Sequence, residues 1–243
     1  MNFLLFDIHS HILPAIDDGS SSLEESLELL KIMKEQGVTH ILATPHFYPL
    51  EDNFSDFSDA SNAAFSQLTE KIKNLDLPQV FLGCEMLYFE GIGNSETLSK
   101  LCLNNSYYLL LELTDECINE ALFENIIKIR DDLGITPIIA HVERYFKAKK
   151  YRKFLKFLAE ENIMVQINAS SVLIPFYLRT IKRLFKLNIN CVIASDAHSL
   201  EMRPPLMDSA FEAIKLRFGE ECYRKLIENS EYLYEKIILQ NEE

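Results

Sequence analysis

Residues 3–11, FLLFDIHSH, join an apolar run to one carboxylate and two histidines. A short continuous run of Phe, Leu and Ile is typical of a strand that is buried on both faces of a parallel sheet. Runs of this kind recur along the chain, and we predict strands at about residues 3–9, 38–44, 79–84, 107–111, 135–140, 163–167 and 190–194. The opening stretch is therefore one unit of a repeated pattern.

The segments between these runs have the apolar spacing of helices. In the first of them Ser21 and Ser22 are each followed three residues later by a glutamate, Glu24 or Glu25, as in a capping box, and Gly37 stands where a C′ glycine would end the helix. Further helices are predicted at about 57–75, 94–104, 117–133, 148–161, 172–187, 203–217 and 219–239. Seven alternations of strand and helix predict an α/β fold with a parallel sheet. We expect residues 1–243 to form a single domain, a distorted TIM-like (β/α)7 barrel with its active site at the carboxyl ends of the strands.

Side chains that bind metals follow six of the seven apolar runs. They are His9 and His11, His46, Glu85, Glu112, His141, and Asp196 with His198, while Asn168 ends the remaining run. Imidazole and carboxylate together are the ligand set of hydrolytic metal sites, and this number of ligands indicates two or three divalent ions. Asp18, in a turn shortly after the paired histidines, is a further candidate ligand. Asp7 is expected to orient one imidazole through its second nitrogen.

Two arginines come directly after ligand clusters. Arg144 lies three residues after His141, and Arg203 lies five residues after His198. The planar guanidinium fork matches two oxygens of a phosphate group, so we interpret the pair as an oxyanion clamp. A phosphate ester is then the simplest substrate.

Composition excludes several other classes of protein. The net charge of −13 argues against a nucleic-acid or anionic-membrane surface. The sequence contains no run of 18 apolar residues, so no transmembrane helix is predicted. The first apolar run is also too short for a signal peptide, and we therefore expect a cytoplasmic protein. The five cysteines form no CxxC pair and are expected to be free thiols. None has an arginine six positions downstream, so the Cys-x5-Arg loop of the cysteine-dependent phosphatases is absent.

Several segments together resemble one protein family: DIHSHILPAIDDGS, ATPHFYP, GCE, LLELT, IIAHVERY and IASDAHSLEMRPP. They are similar to the polymerase-and-histidinol-phosphatase (PHP) superfamily, and within it to the metal-dependent bacterial protein-tyrosine phosphatases of the CpsB/CapC type. Those enzymes work with the tyrosine kinases of capsule and exopolysaccharide systems. The resemblance spans residues 3–205; HxH and SDAH occur throughout the superfamily, whereas ILPxIDDG and HxERY are more specific to this branch.

The resemblance implies three metal ions, usually Mn²⁺, with Fe, Zn, Mg or Co as alternatives. It implies one ligand set of His9, His11, Glu85 and Asp196, a second of Glu85, Glu112 and His141, and a third of Asp18, His46 and His198. Arg144 and Arg203 would bind the phosphate, and Asp196 is also a candidate for moving a proton.

We therefore expect a protein-tyrosine phosphatase, whose partner would be the phosphotyrosine-bearing tail of a polysaccharide-export tyrosine kinase. Water activated by the metals would attack phosphorus in line, without a phospho-enzyme. Two alternatives remain: a histidinol-phosphate or other small-molecule phosphomonoesterase, which would share the metal cluster, and a non-catalytic module that docks the kinase. A nuclease is disfavoured because the chain is acidic.

Overall fold

A computed structural model describes residues 4–94 and 97–241. Within them the chain forms strands β1 (Leu5–Ser10), β2 (Val38–Ala43), β3 (His46–Phe47), β4 (Gln79–Leu82), β5 (Glu85–Leu87), β6 (Tyr108–Glu112), β7 (Thr136–Ile139), β8 (Met164–Asn168) and β9 (Cys191–Ala194). Each of the seven predicted runs overlaps one of these strands, and β1, β6 and β8 end one residue later than predicted. Phe3, the first residue predicted for β1, lies outside the described residues. The short strands β3 and β5 were not predicted.

The two extra strands follow breaks after β2 and β4. Pro45 has no backbone N–H with which to continue the first of these ladders. At Gly83 an added Cβ would lie 2.7 Å from Cδ2 of Leu103, so the chain passes closer to its neighbour there than a side chain would allow. After the breaks the chain enters a second sheet, where His46 and Glu85 are paired side by side.

The strands form two parallel sheets, ordered β1-β2-β4 and β3-β5-β6-β7-β8-β9. A single bridge between Ser10 and Ala197 joins the end of β1 to the segment after β9. The prediction of an α/β fold with parallel strands is confirmed. One continuous closed barrel is not present among residues 4–94 and 97–241, because the ladder is interrupted where β2 and β4 end.

Most of the predicted helices are present. The described α-helices are α1 (Leu23–Glu35), α2 (Phe54–Ile72), α3 (Glu120–Leu133), α4 (Tyr151–Glu160), α5 (Ala169–Leu173), α6 (Pro175–Lys186), α7 (Met207–Phe218) and α8 (Glu220–Ile237). The Ser22 side chain caps α1 by accepting a hydrogen bond from the N–H of Glu25 at 3.2 Å, and Gly37 follows the helix with φ +85°. The helix predicted at 172–187 is divided into α5 and α6, since Pro175 cannot continue the hydrogen bonding of α5.

The prediction of an α-helix at 94–104 is wrong. Two of its residues, Ser95 and Glu96, lie outside the described residues, and the others, apart from Thr97 and Cys102, belong to short 3-10 helices. Asn104 and Asn105 have φ values of 49° and 55°, in the left-handed region that a right-handed helix cannot contain.

The last helix packs against an apolar cluster of the strands. Phe6 and Ile8 of β1 are fully buried in this cluster, and α8 adds Leu233 and Ile237, which are also fully buried. The segment after residue 219 is therefore part of the core. Among the described helices, none has the length and apolar character needed to cross a membrane. All five cysteines are free thiols, as predicted.

Candidate metal centre

The nine predicted metal ligands lie together where the strands end. His9 is the penultimate residue of β1, His46 and Glu85 begin β3 and β5, and Glu112 ends β6. The others, His11, Asp18, His141, Asp196 and His198, lie in the segments that follow β1, β7 and β9. Six of the nine are at most 2% exposed. Because β2 and β4 are interrupted, His46 and Glu85 at the start of β3 and β5 lie in the same cluster as the candidate ligands that follow the other strands.

These side chains form three overlapping groups, in each of which the ligand atoms lie within 4.8 Å of one another. The groups are His9, His11 and Asp196; His46, Glu85 and Glu112; and His11, Asp18, His46 and His198. They are close to the three sets that the resemblance implies, with His11 and His46 each shared between two groups. His141 joins the second group, because its Nε2 lies 2.9 Å from Oε1 of Glu85 and 3.4 Å from Oε1 of Glu112.

Glu85 occupies the centre of the cluster. Its Oε2 lies 3.2 Å from Nε2 of His9, 3.3 Å from Nε2 of His11 and 3.1 Å from Nδ1 of His46. Burial opposes the charged form, yet the surrounding histidines hold the pKa of Glu85 well below its usual value. A buried carboxylate that stays ionised and faces several groups is suited to bridge two cations.

Hydrogen bonds to the histidines direct their free lone pairs into the site. Nδ1 of His9 faces Oε1 of Gln166 at 3.2 Å, and Nδ1 of His11 faces Oδ2 of Asp17 at 2.7 Å. Nδ1 of His198 likewise faces a backbone carbonyl at 3.0 Å. Because these partners are acceptors, each Nδ1 carries a proton, and Nε2 of each neutral ring is free to bind a metal. The Nε2 atoms of His9 and His11 are 3.1 Å apart, so either a proton shared between the two rings or a metal ion must separate their lone pairs.

The buried polar atoms of the cluster fit a metal site. Within the described part of the chain, four buried atoms form no hydrogen bond of normal geometry, although other candidate ligand atoms lie 3.1–3.5 Å away: Oε2 of Glu85, Oδ1 of Asp196, Nδ1 of His46 and Nε2 of His198. Each unpaired buried polar group costs about 1–3 kcal/mol, so four in one place need a common explanation. Imidazole nitrogen and carboxylate oxygen are a donor set that suits divalent transition metals. Divalent ions bound here would therefore satisfy polar atoms that these side chains leave unsatisfied among themselves.

Asp17 is a residue of the candidate site that the sequence analysis missed. Besides His11, its carboxylate accepts hydrogen bonds from the N–H groups of Gly19 at 2.9 Å and His46 at 3.1 Å. Burial opposes the ionisation of Asp17. Its pKa is nevertheless lowered to about 2, chiefly by the hydrogen bond from His11. Its position beside the candidate ligand Asp18 was the only signal in the sequence.

Gln166 is the second orienting residue that was missed. Its Oε1 accepts from the backbone N–H of His141 at 2.6 Å and also faces His9, while its Nε2 donates to Oδ1 of Asn168 at 2.7 Å. Asn168 in turn donates to Oδ2 of Asp196 at 2.6 Å. A polar side chain inside the apolar run of β8 was the available signal.

The expectation that Asp7 orients an imidazole is wrong. Its Oδ1 accepts from the backbone N–H groups of Ser195 at 2.9 Å and His9 at 3.4 Å, and no ring nitrogen of the described residues is bonded to it. Asp7 instead ties β1 to the segment after β9. Burial, opposed by the hydrogen bonds from Ser195, raises the pKa of Asp7 to about 6.

Both predicted clamp arginines reach the edge of the cluster. Arg144 and Arg203 each donate to Oδ2 of Asp196, at 2.7 Å and 2.5 Å. Their side chains are 36% and 35% exposed, whereas that of Asp196 is 1% exposed. The two guanidinium groups therefore stand between the buried ligands and solvent, where an anion entering the site meets them first.

A close contact in the loop after β1 positions Asp18. A Cβ at Gly19 would lie 2.2 Å from the carbonyl oxygen of His11 and 2.5 Å from its Cβ, so only glycine fits. The loop leaves the Asp18 side chain 66% exposed, with its Oδ1 3.4 Å from Nε2 of His46 and 3.3 Å from Nε2 of His198. Asp18 thus closes the solvent side of the third group.

Comparison with known proteins agrees with the resemblance seen in the sequence. The family model described as "Capsular polysaccharide synthesis, CpsB/CapC" matches residues 5–235. Tyrosine-protein phosphatase CpsB of Streptococcus agalactiae serotype III is 33% identical over 247 residues, which cover 93% of this chain and 97% of that protein. Tyrosine-protein phosphatase YwqE of Bacillus subtilis is 31% identical over 238 residues, which cover 94% and 91%.

Solved structures agree with the sequence relatives. One of the metal-dependent tyrosine phosphatases described as YwqE from Bacillus subtilis and CpsB from Streptococcus pneumoniae superposes with a TM-score of 0.82 at 28% identity, covering 94% of each chain. A zinc-bound amidohydrolase shares the fold alone, with a TM-score of 0.53 at 9% identity over 94% of this chain and 85% of that one. Because the family match covers nearly the whole length, the chain belongs to the CpsB/CapC family of capsular polysaccharide synthesis.

Proposed function

We propose that this chain is a metal-dependent protein-tyrosine phosphatase that hydrolyses phosphotyrosine in a protein tail. The observation that supports this most directly is a cluster of nine potential metal ligands, eight in the three groups and His141 beside Glu85, bordered by Arg144 and Arg203. The relatives from Streptococcus agalactiae and Bacillus subtilis are tyrosine-protein phosphatases, and a structurally similar protein is a metal-dependent one.

The three ligand groups would hold two or three divalent ions, with Mn²⁺ as the expected metal. We assign His9, His11, Glu85 and Asp196 to one ion, Glu85, Glu112 and His141 to a second, and Asp18, His46 and His198 to a third. Bound divalent ions lower the pKa of water to near neutrality and offset the charge of phosphate oxygens. Asp17 and Gln166 would hold His11 and His9 in the tautomers that ligation requires.

The arginines and Asp196 have complementary roles in this proposal. Arg144 and Arg203 bind the non-bridging oxygens of the phosphate and stabilise the charge that develops on them during in-line attack. Burial opposes ionisation of Asp196, but His9 and the two arginines hold its pKa well below the usual range, which favours a ligand over a proton donor. The phenolate of tyrosine, with a pKa of about 10, is a fair leaving group and needs little protonation.

We further propose that the two sheets together act as the wall of a single (β/α)7-type barrel domain over residues 1–243. The strand order follows the chain around the site, and the Ser10–Ala197 bridge brings the first and last strands together, which supports this arrangement. The proposed place of action is the cytoplasm, and the proposed substrate is the tail of a tyrosine kinase of capsule or exopolysaccharide export. Membership in a capsular polysaccharide synthesis family supports that partner.

The test compares three substrates with the Mn²⁺-loaded protein. A phosphotyrosyl peptide should be hydrolysed with a higher kcat/KM than a phosphoseryl peptide of the same sequence or histidinol phosphate. A preference for histidinol phosphate would replace the proposed substrate class. If no phosphate is released from any of these substrates or from p-nitrophenyl phosphate, the chain is a non-catalytic module.

A further inference from the structure

The charges of this acidic chain are distributed unevenly along the sequence. Residues 144–187 contain 11 of the 24 Lys and Arg residues but only 2 of the 37 Asp and Glu residues. This segment has a formal charge of +9, although the whole chain has −13. Such a concentration of one sign creates a local field that attracts anions to one part of the surface.

Six of these cations line a groove between the start of α4 and the first turns of α6. They are Lys149, Lys150, Arg152, Lys153, Arg179 and Arg183, all exposed. Lys150 and Lys153 both contact Glu120, at 3.0 Å and 2.7 Å. Among residues 4–94 and 97–241, no ion pair engages any of the three arginines of this groove, so their guanidinium groups are available to an external anion.

A single short element connects the groove to the candidate metal centre. One short 3-10 helix, Val142–Lys147, contains both Arg144 of the centre and Phe146, which lines the groove. The Phe146 ring packs against those of Phe176 and Tyr177, with centroid distances of 4.9 Å and 6.3 Å. Phe176 is 61% exposed, so an apolar surface lies beside the cations.

A second groove beside the same centre has the opposite charge. It follows β3 and is lined by Asp18, Glu51, Asp52 and Asp56 together with His46. The mouth of the site is therefore electrostatically asymmetric, with carboxylates on the side of β3 and cations on the side of β7 and β8.

We propose that the groove between α4 and α6 binds acidic residues that flank the phosphotyrosine of a peptide substrate, and so fixes the direction in which the peptide crosses the site. This inference rests on the proposed phosphotyrosine hydrolysis. Guanidinium groups bind carboxylates in a bidentate manner, and exposed Phe176 offers an apolar contact to the same segment. The carboxylates after β3 repel an acidic flank and leave one orientation favoured.

A peptide fits this surface better than an anionic membrane does. A flat bilayer laid across the mouth would press its negative headgroups against Glu51, Asp52 and Asp56 as well as against the cations. A peptide flank occupies only one side of the mouth and avoids that repulsion.

The test uses three phosphotyrosyl peptides of equal length, with glutamates only on the amino side, only on the carboxyl side, or with glutamine at all these positions. The wild-type protein should have the lowest KM for one of the two acidic peptides. In the R152E/R179E/R183E variant that KM should rise roughly three- to tenfold, as expected for the loss of three exposed ion pairs, and the difference should shrink at high salt. Turnover of p-nitrophenyl phosphate should not change.

The matched control is K71E/R224E/K225E, which makes the same change in net charge with exposed cations outside the groove. It should leave all three KM values unchanged. If the reversal in the groove impairs folding, as p-nitrophenyl phosphate turnover would show, R152A/R179A/R183A serves instead.

Equal KM values for acidic and neutral peptides, or an equal loss in the control variant, would overturn the groove proposal while leaving phosphotyrosine hydrolysis intact. Loss of binding to phosphatidylglycerol vesicles in the groove variant without any change in peptide KM would replace the peptide with a membrane. Turnover of p-nitrophenyl phosphate without hydrolysis of any peptide would overturn the proposed function and the groove proposal together.

Discussion

The hydrogen-bond acceptors behind the candidate histidine ligands decide which ring nitrogens face the cluster. Asp17 holds Nδ1 of His11 and also fixes the backbone of Gly19 and His46, so one carboxylate supports three parts of the site. Side chains in this position typically contribute 10- to 100-fold to metal affinity. The surroundings of a ligand are therefore as much a part of the metal centre as the ligand itself.

Replacing Asp17 tests this role. We expect Asp17→Ala to weaken Mn²⁺ binding roughly 10- to 100-fold, because the tautomer of His11 is no longer fixed. Asp17→Asn keeps an acceptor oxygen and should lose less. Calorimetric titration of metal-free protein measures both affinities, and wild-type affinity in Asp17→Ala would remove Asp17 from the site.

Gly19→Ala should push the loop that follows β1 away from His11. The added methyl group would lie 2.2 Å from the His11 carbonyl oxygen, so the loop must shift and carry Asp18 with it. We expect a lower melting temperature and weaker metal binding. Gly93→Ala is the control, since its Cβ would meet only the flexible side chain of Lys128 at 3.2 Å; equal melting temperatures in the two variants would contradict this explanation.

Arg203→Ala should impair phosphate binding while leaving metal binding intact. Loss of one charged donor to the transferred group typically lowers turnover about 10²- to 10³-fold. Metal content should stay normal, because Asp196 keeps Arg144 and Asn168 as partners. Turnover of p-nitrophenyl phosphate and metal analysis of the same sample check both points, with Arg224→Ala as the control. Unchanged turnover would show that Arg203 does not reach the phosphate.

The elements of this fold were largely predictable, because a buried strand between two helices is marked by an apolar run. The seven runs therefore appear as strands in the structure, and the candidate ligands that follow six of them lie near the strand ends. The breaks at Pro45 and Gly83 were not foreseen, since their effect depends on contacts such as that with Leu103. Gln166 was missed for a similar reason, because its role depends on contacts with His9 and Asn168 that form only in the folded chain.

The packing of α8 gives a prediction for an element whose role the sequence did not reveal. Leu233 is fully buried against the strands, so Leu233→Ala should lower the free energy of unfolding by about 2–5 kcal/mol. Leu239→Ala is the control, because Leu239 is 44% exposed. Urea denaturation of the metal-free proteins compares the two, and an equal, small effect would contradict a core role for α8.

At the scale of the whole molecule, rising pH should destabilise the metal-free protein and increase the stabilisation that bound metal provides. Burial opposes protonation of His11 and His141, but hydrogen bonds to neighbouring carboxylates raise their pKa values to about 10 and about 9. A pKa that is raised in the folded state stabilises the fold below the unfolded value of about 6.5, and this contribution is lost as pH rises toward the folded value. Metal binding needs the deprotonated rings and therefore strengthens over the same interval.

Melting temperatures between about pH 6.5 and 9 test this reasoning. The chelator-treated protein should become less stable as pH rises, while the stabilisation gained on adding Mn²⁺ should increase. A metal-induced shift that is constant across this range would mean that metal ions do not replace protons on these histidines.

The net charge of the chain conceals a basic surface. The value of −13 suggested that no part of the protein attracts polyanions, yet residues 144–187 carry a formal charge of +9. Fields act locally, within about 8–10 Å at physiological salt, so an average over the chain says little about a single groove.

Metal content and phosphate release, measured on one sample, test the proposed metal-dependent activity most directly. Protein stripped with chelator and reloaded with Mn²⁺ is analysed by plasma mass spectrometry and assayed on a phosphotyrosyl peptide. We expect two to three metal equivalents per chain, with release that depends on the reloaded metal. Undiminished release from metal-free protein, or fully loaded protein that releases no phosphate from phosphotyrosine, would contradict the proposal.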